Sequence, residues 1–140
     1  MQQQVSVITL GVENLTDARR FYEVGFGWKP VFENQEIIFF QMNGFVLGLW
    51  VRASLAADAA SDMMPNSGAF AIAHNVPNKN DVKAAMDRLV EAGGRITREA
   101  DTPPQGGFRG YVADPDGHSW EIAWNPAWPI DENGLVTFGL

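Results

Sequence analysis

The feature that most constrains this chain is an internal repeat. The run "VSVITLGVENLTDARRFYEVGFG" (5–27) reads as a β-branched strand followed by a helix, and "FAIAHNVPNKNDVKAAMDRLVEAGG" (70–94) repeats that order. One spacing takes Ile8 to Ile72, Val12 to Val76, Asn14 to Asn78 and Asp17 to Asp81. Asn14 or Thr16 can cap the first helix, and Gly25 or Gly27 can end it. Each helix is followed by three short apolar runs. In the first half these are "KPVFEN", "EIIFFQM" and "FVLGLWV"; in the second they are "GRITRE", "RGYVAD" and "SWEIAW". A slightly longer spacing pairs the turn at Asn43-Gly44 with that at Asp116-Gly117, and Leu49 with Ile122. The difference requires only a longer connection in the second half. The repeat implies two tandem βαβββ units: an α+β chain of curved mixed sheets around a cleft, with helices on the outer faces.

The first module spans 5–52 and the second 68–124. Between them, 53–67 is small, polar and punctuated by Pro and Gly, which suits a linker with one helical turn. The tail 125–140 is broken by Pro126 and Pro129 and reads as irregular chain with a short extended end. All 140 residues suit one domain. A net charge of −7 argues against nucleic acid and anionic membrane surfaces as partners, since both select for basic patches. The absence of cysteine removes disulfides, thiolate metal sites and thiol nucleophiles. No secretory signal or membrane-length apolar run is present, so a cytoplasmic location is expected.

Within "ADPDGHSWEIAW" (113–124), strand alternation puts Trp120, Ile122 and Trp124 on one face, toward a helix. Glu121 falls on the other. "DPDG" lacks the glycine and carboxylate spacing of a calcium loop and reads as a turn. His118 is expected as an exposed loop residue. His74 is expected beneath a helix with a hydrogen bond, beside Ile72 and Val76. Neither histidine has metal-motif spacing.

A tandem βαβββ chain carrying "FYEVGFGWKP" and "YVADPDGHSWEIAW" resembles the vicinal oxygen chelate superfamily, which includes glyoxalase I, bleomycin-resistance proteins and extradiol dioxygenases. The resemblance covers about residues 5–124. It implies a ligand cleft between the modules and homodimeric assembly. The metal-using members resemble one another at four positions, one in the first and one in the last strand of each unit. Here these are Val7, Gly48, Ala71 (Ala69 in a competing register) and Glu121. Three offer no side-chain donor, whereas a catalytic divalent ion takes about three protein ligands. No metal or other cofactor is therefore expected.

The cleft face extends from Val7 through Thr9 and Gly11. Trp50 is a candidate stacking wall and Arg52 a candidate anion clamp. Arg109 approaches from the strand before the turn, and one of Phe39 and Phe40 reaches the cleft. Glu121 is the one candidate for catalysis. The leading expectation is a metal-independent protein binding a small organic molecule among Thr9, Phe39, Trp50, Arg52, Arg109 and Glu121. The alternative is a glyoxalase-like lyase or a dioxygenase using a relocated metal site or Glu121 as general base. Exposed sheet edges and Trp128 on the tail favour a homodimer.

Overall fold

The computed structural model describes residues 1–60 and 68–139. The first module runs β1 (Val7–Val12), α1 (Leu15–Arg20), β2 (Phe32–Glu33), β3 (Ile37–Gln41) and β4 (Val46–Val51). The expected linker begins with α2 (Arg52–Asp58), more helix than the single turn expected; residues 61–67 of that linker lie outside the described residues. The second module runs β5 (Ala71–Asn75), α3 (Lys79–Glu91), β6 (Arg95–Asp101), β7 (Phe108–Ala113) and β8 (Ser119–Trp124). The sheets have equivalent orders, β1-β4-β3-β2 and β5-β8-β7-β6, each with its first and last strands parallel.

Asn14 caps α1 by accepting from the backbone N–H groups of Thr16 (2.9 Å) and Asp17 (3.1 Å). The helix then widens into one π turn, Phe21–Gly25. Such a turn inserts an extra residue and re-aims the chain beyond it. Gly25 makes room for α3: a Cβ there would lie 2.9 Å from Leu89 Cδ2 and 3.1 Å from Ala92 Cβ.

One apolar core runs through both modules. It joins Leu10, Val12, Leu47, Leu49, Ile38 and Phe40 of the first sheet to Val112, Trp120 and Ile122 of the second, with Phe21, Tyr22, Val82, Met86 and Leu89 between them. Each sheet thus has a helix-side face buried in this core and an opposite, open face. The tail closes on itself through a bridge between Ile130 and Val136, and Trp128 meets the Phe138 ring edge at 5.2 Å.

Polar contacts lock the modules together. Tyr22 donates to the Asp114 carboxylate (2.7 Å), and Trp120 Nε1 donates to the Tyr22 hydroxyl (3.1 Å). Asp114 also accepts from the backbone N–H of His118 (2.8 Å) and of Asp116 (2.9 Å). His118 is a correction to the sequence reading: it is buried, not an exposed loop residue. Its Nε2 donates to the Gly11 carbonyl at 2.8 Å, so the turn is held against the end of β1, which a reading of local turn chemistry does not reveal.

Candidate functional site

Strand register fixes what the open face presents. In the first module Thr9, Gly48 and Phe39 lie side by side across β1, β4 and β3, as do Gly11, Trp50 and Ile37. Phe40 points into the core, so Phe39 is the ring that reaches the open face. That ring lies over Gly48: a Cβ on Gly48 would be 3.0 Å from Phe39 Cε1 and 3.5 Å from the Thr9 hydroxyl. The glycine is what allows the ring to lie flat across the strand.

At one end of this face α2 packs over Gly11, whose Cβ would meet Arg52 Cγ at 3.3 Å and Leu55 Cδ2 at 3.5 Å. Arg52 is therefore the first residue of a helix rather than the end of a strand, and it pairs with Glu13 at 2.6 Å. Trp50 Nε1 is buried without a hydrogen-bond acceptor among the described residues. An unsatisfied buried N–H is costly, and binding sites are where such groups persist.

In the second module the same face carries charge. Ala73, Glu121 and Tyr111 form one row, and Asn75, Ala123 and Arg109 the next. Asp101 pairs with both Arg109 and, at 2.8 Å, Arg98. Burial, reinforced by the charge of Glu121, raises the Tyr111 hydroxyl above the usual tyrosine range, with the two arginines acting the other way. Tyr111 stays a neutral donor beside a carboxylate at ordinary pH. Sequence reasoning missed it, although the hairpin register about the Asp114–Gly117 turn does set it opposite Glu121.

The six residues expected at the site thus divide. Thr9, Phe39 and Trp50 share one sheet's open face, Arg109 and Glu121 the other's, and Arg52 sits at the helix over Gly11. Trp120 and Ile122 are buried on the helix side, as the alternation predicts. His74 is half-buried against Phe26 (5.5 Å) and Trp28 (6.2 Å); no hydrogen bond holds its ring among the described residues, contrary to expectation. The four positions that the resemblance would assign to a metal site are Val7, Gly48, Ala71 and Glu121. Among the described residues no group of three or more His, Cys, Asp or Glu side chains is placed to hold an ion.

Paired βαβββ modules with an open face flanked by a shared core define a glyoxalase-type fold. The chain belongs to the Glyoxalase/Bleomycin resistance protein/Dioxygenase superfamily, whose profile matches residues 4–122. It is similar to the crystal structure of a glyoxalase-related enzyme from Fulvimarina pelagi, with 56% identity, 99% of this chain and 100% of that one covered, and a TM-score of 0.97. A lactoylglutathione lyase from Agrobacterium tumefaciens shares the fold at 20% identity, over 94% of this chain and 100% of that one, with a TM-score of 0.69. So does a superfamily enzyme from Burkholderia phytofirmans PsJN, at 13% identity over 84% and 95%, with a TM-score of 0.71. No curated protein sequence matches the chain. No helix among the described residues is long and apolar enough to cross a membrane.

Proposed function

We propose that this protein binds a small organic molecule on its open face without a metal ion. The observation that carries this reading is the Phe39 ring lying over Gly48, at one of the four positions where metal-using relatives place a ligand. A carboxylate there would have to displace the ring, and Val7 and Ala71 supply no donor in its stead. One carboxylate, Glu121, does not make a site for a catalytic divalent ion. The groups that remain suit a planar guest with a polar end. Phe39 and Trp50 offer stacking surface, the Trp50 N–H lacks an acceptor, and Glu121 beside Tyr111 offers one acceptor and one donor.

The test is metal content together with one substitution. Protein purified without chelator should carry far less than one divalent ion per chain, and added zinc, nickel or manganese should leave its melting temperature unchanged. Glu121→Gln should fold normally yet weaken a ligand found by thermal-shift screening by about 1–3 kcal/mol. A stoichiometric ion lost in Glu121→Gln would overturn the reading.

The 56% identity to a glyoxalase-related enzyme, with Glu121 beside a neutral Tyr111, favours a second reading in which Glu121 is a general base. Turnover of lactoylglutathione that disappears in Glu121→Gln would establish it. Assembly as a homodimer belongs to the proposal too, and light scattering at micromolar concentration giving one chain mass would refute it.

A further inference from the structure

The helix side of the molecule holds a cavity of about 730 Å³, within the range of small-molecule sites. None of the six open-face residues expected at the ligand site lines it. Its floor is one end of the core. Ile8, Leu47 and Phe40 are register neighbours on the helix-side face of the first sheet, and Ile72 pairs with Trp120 on that of the second. The cavity exists because the first helix is short. After the π turn the chain leaves the sheet, and Trp28 rather than another helical turn covers this end. Trp28 is tilted against Phe40 (6.3 Å, 59°) and edge-on to Trp120 (5.7 Å, 65°); those two rings are almost wholly buried, so the aromatic surface that faces the space is that of Trp28. The tail forms the outer wall through Ile130, Gly134 and Val136, tied down where Asn43 donates to the Asn133 carbonyl at 3.1 Å.

The polar lining has one sign of charge. Seventeen acidic residues give the chain its net charge of −7, yet no Asp or Glu lines this cavity. Lys29 does, and it forms no ion pair among the described residues. Gln41, Asn43 and Asn75 add amides. Burial, then the charge of Arg88, holds His74 below the usual histidine range, so its ring is neutral at pH 7 and Lys29 is the cation in the lining.

We propose that this cavity is a second binding site, apart from the six residues expected at the ligand site although Ala73 and Asn75 border both, for a small planar aromatic carboxylate whose ring packs on Trp28 above the buried Phe40 and Trp120 and whose anion meets Lys29. A cationic guest would face Lys29 with no carboxylate to answer it. A purely aliphatic guest would make no use of the exposed Lys29 ammonium.

The probe pair is 2-naphthoate and its neutral analogue 2-naphthol, titrated at neutral pH while the indole N–H signals are followed by NMR. The Trp28 and Trp120 signals should shift in a saturable way with 2-naphthoate, and the Trp50 signal should stay in place. Lys29→Gln alters one side chain at the cavity wall; it should weaken 2-naphthoate about tenfold and leave 2-naphthol unchanged, the scale of one lost charged contact. Glu121→Gln should leave both titrations unaltered. No saturable shift, or equal weakening of both probes in Lys29→Gln, would overturn the proposal. A response confined to Trp50 and lost in Glu121→Gln would also overturn it, while leaving the open-face function standing. If the protein is a dimer that Ile130→Arg dissociates, and the wild type gives no naphthoate response, a second copy fills the space and the proposal fails.

Discussion

On the open face the first module shows Thr9, Phe39 and Trp50, whereas the second shows Tyr111, Glu121 and the Arg98–Asp101–Arg109 chain. Two cross-strand pairs carry the contrast. Phe39 lies opposite Gly48 and Tyr111 opposite Glu121, at equivalent places in equivalent sheets. With glycine as its neighbour the aromatic ring lies over the strand; with glutamate it is a phenol beside a carboxylate. The strand order and the buried face are alike in both modules, because a buried face tolerates only apolar, well-fitting side chains. The open face carries no such demand and has been free to diverge. The difference teaches that the duplication sets the scaffold and that chemistry is to be sought where the copies disagree.

The largest expected effect comes from breaking what holds the copies together. Asp114→Ala removes the acceptor for the buried Tyr22 hydroxyl, for the buried His118 N–H and for the half-buried Asp116 N–H. Urea denaturation should show a loss of about 3 kcal/mol or more, since buried donors are left unpaired. A loss under about 1 kcal/mol would mean that the modules are held by apolar packing alone.

A smaller effect should come from making the first module imitate the second. Gly48→Glu places a side chain where the Phe39 ring lies and should cost about 1–3 kcal/mol through the forced displacement. Adding Phe39→Ala should recover part of that loss. Strict additivity in this double-mutant cycle would show that the ring does not constrain position 48.

The smallest effect is a pH dependence. His74 repeats Leu10, which is wholly buried, but it is a titratable ring at the junction. Burial and Arg88 place its folded pKa below the ordinary histidine value of 6.5. The unfolded chain therefore takes up the proton first as pH falls. The His74 contribution is fully present above about pH 6.5 and declines below it, toward the folded pKa. Wild type minus His74→Leu should accordingly lose stability on acidification through that window. A flat difference would place the ring in water, and one of opposite sign would mean that the folded chain stabilises the charged ring.

Much of the scaffold was legible because periodicity is local. The capping Asn14, the inward Trp120 and Ile122 and the outward Glu121 are set by spacings of two to four residues, at which backbone geometry alone decides direction. What the chain does at long range was not legible. His118 looks like a turn residue until the end of β1 arrives to accept its proton from 107 positions away. The Phe39 ring over Gly48 depends on which of two adjacent phenylalanines a register selects, and the cavity beside Trp28 depends on two sheets and a tail meeting around a helix that stops early. Sequence by itself determined the number, order and faces of the elements, because those are properties of each segment. Only the tertiary structure decided which faces meet, because burial is a property of pairs of segments that the chain brings together after they form.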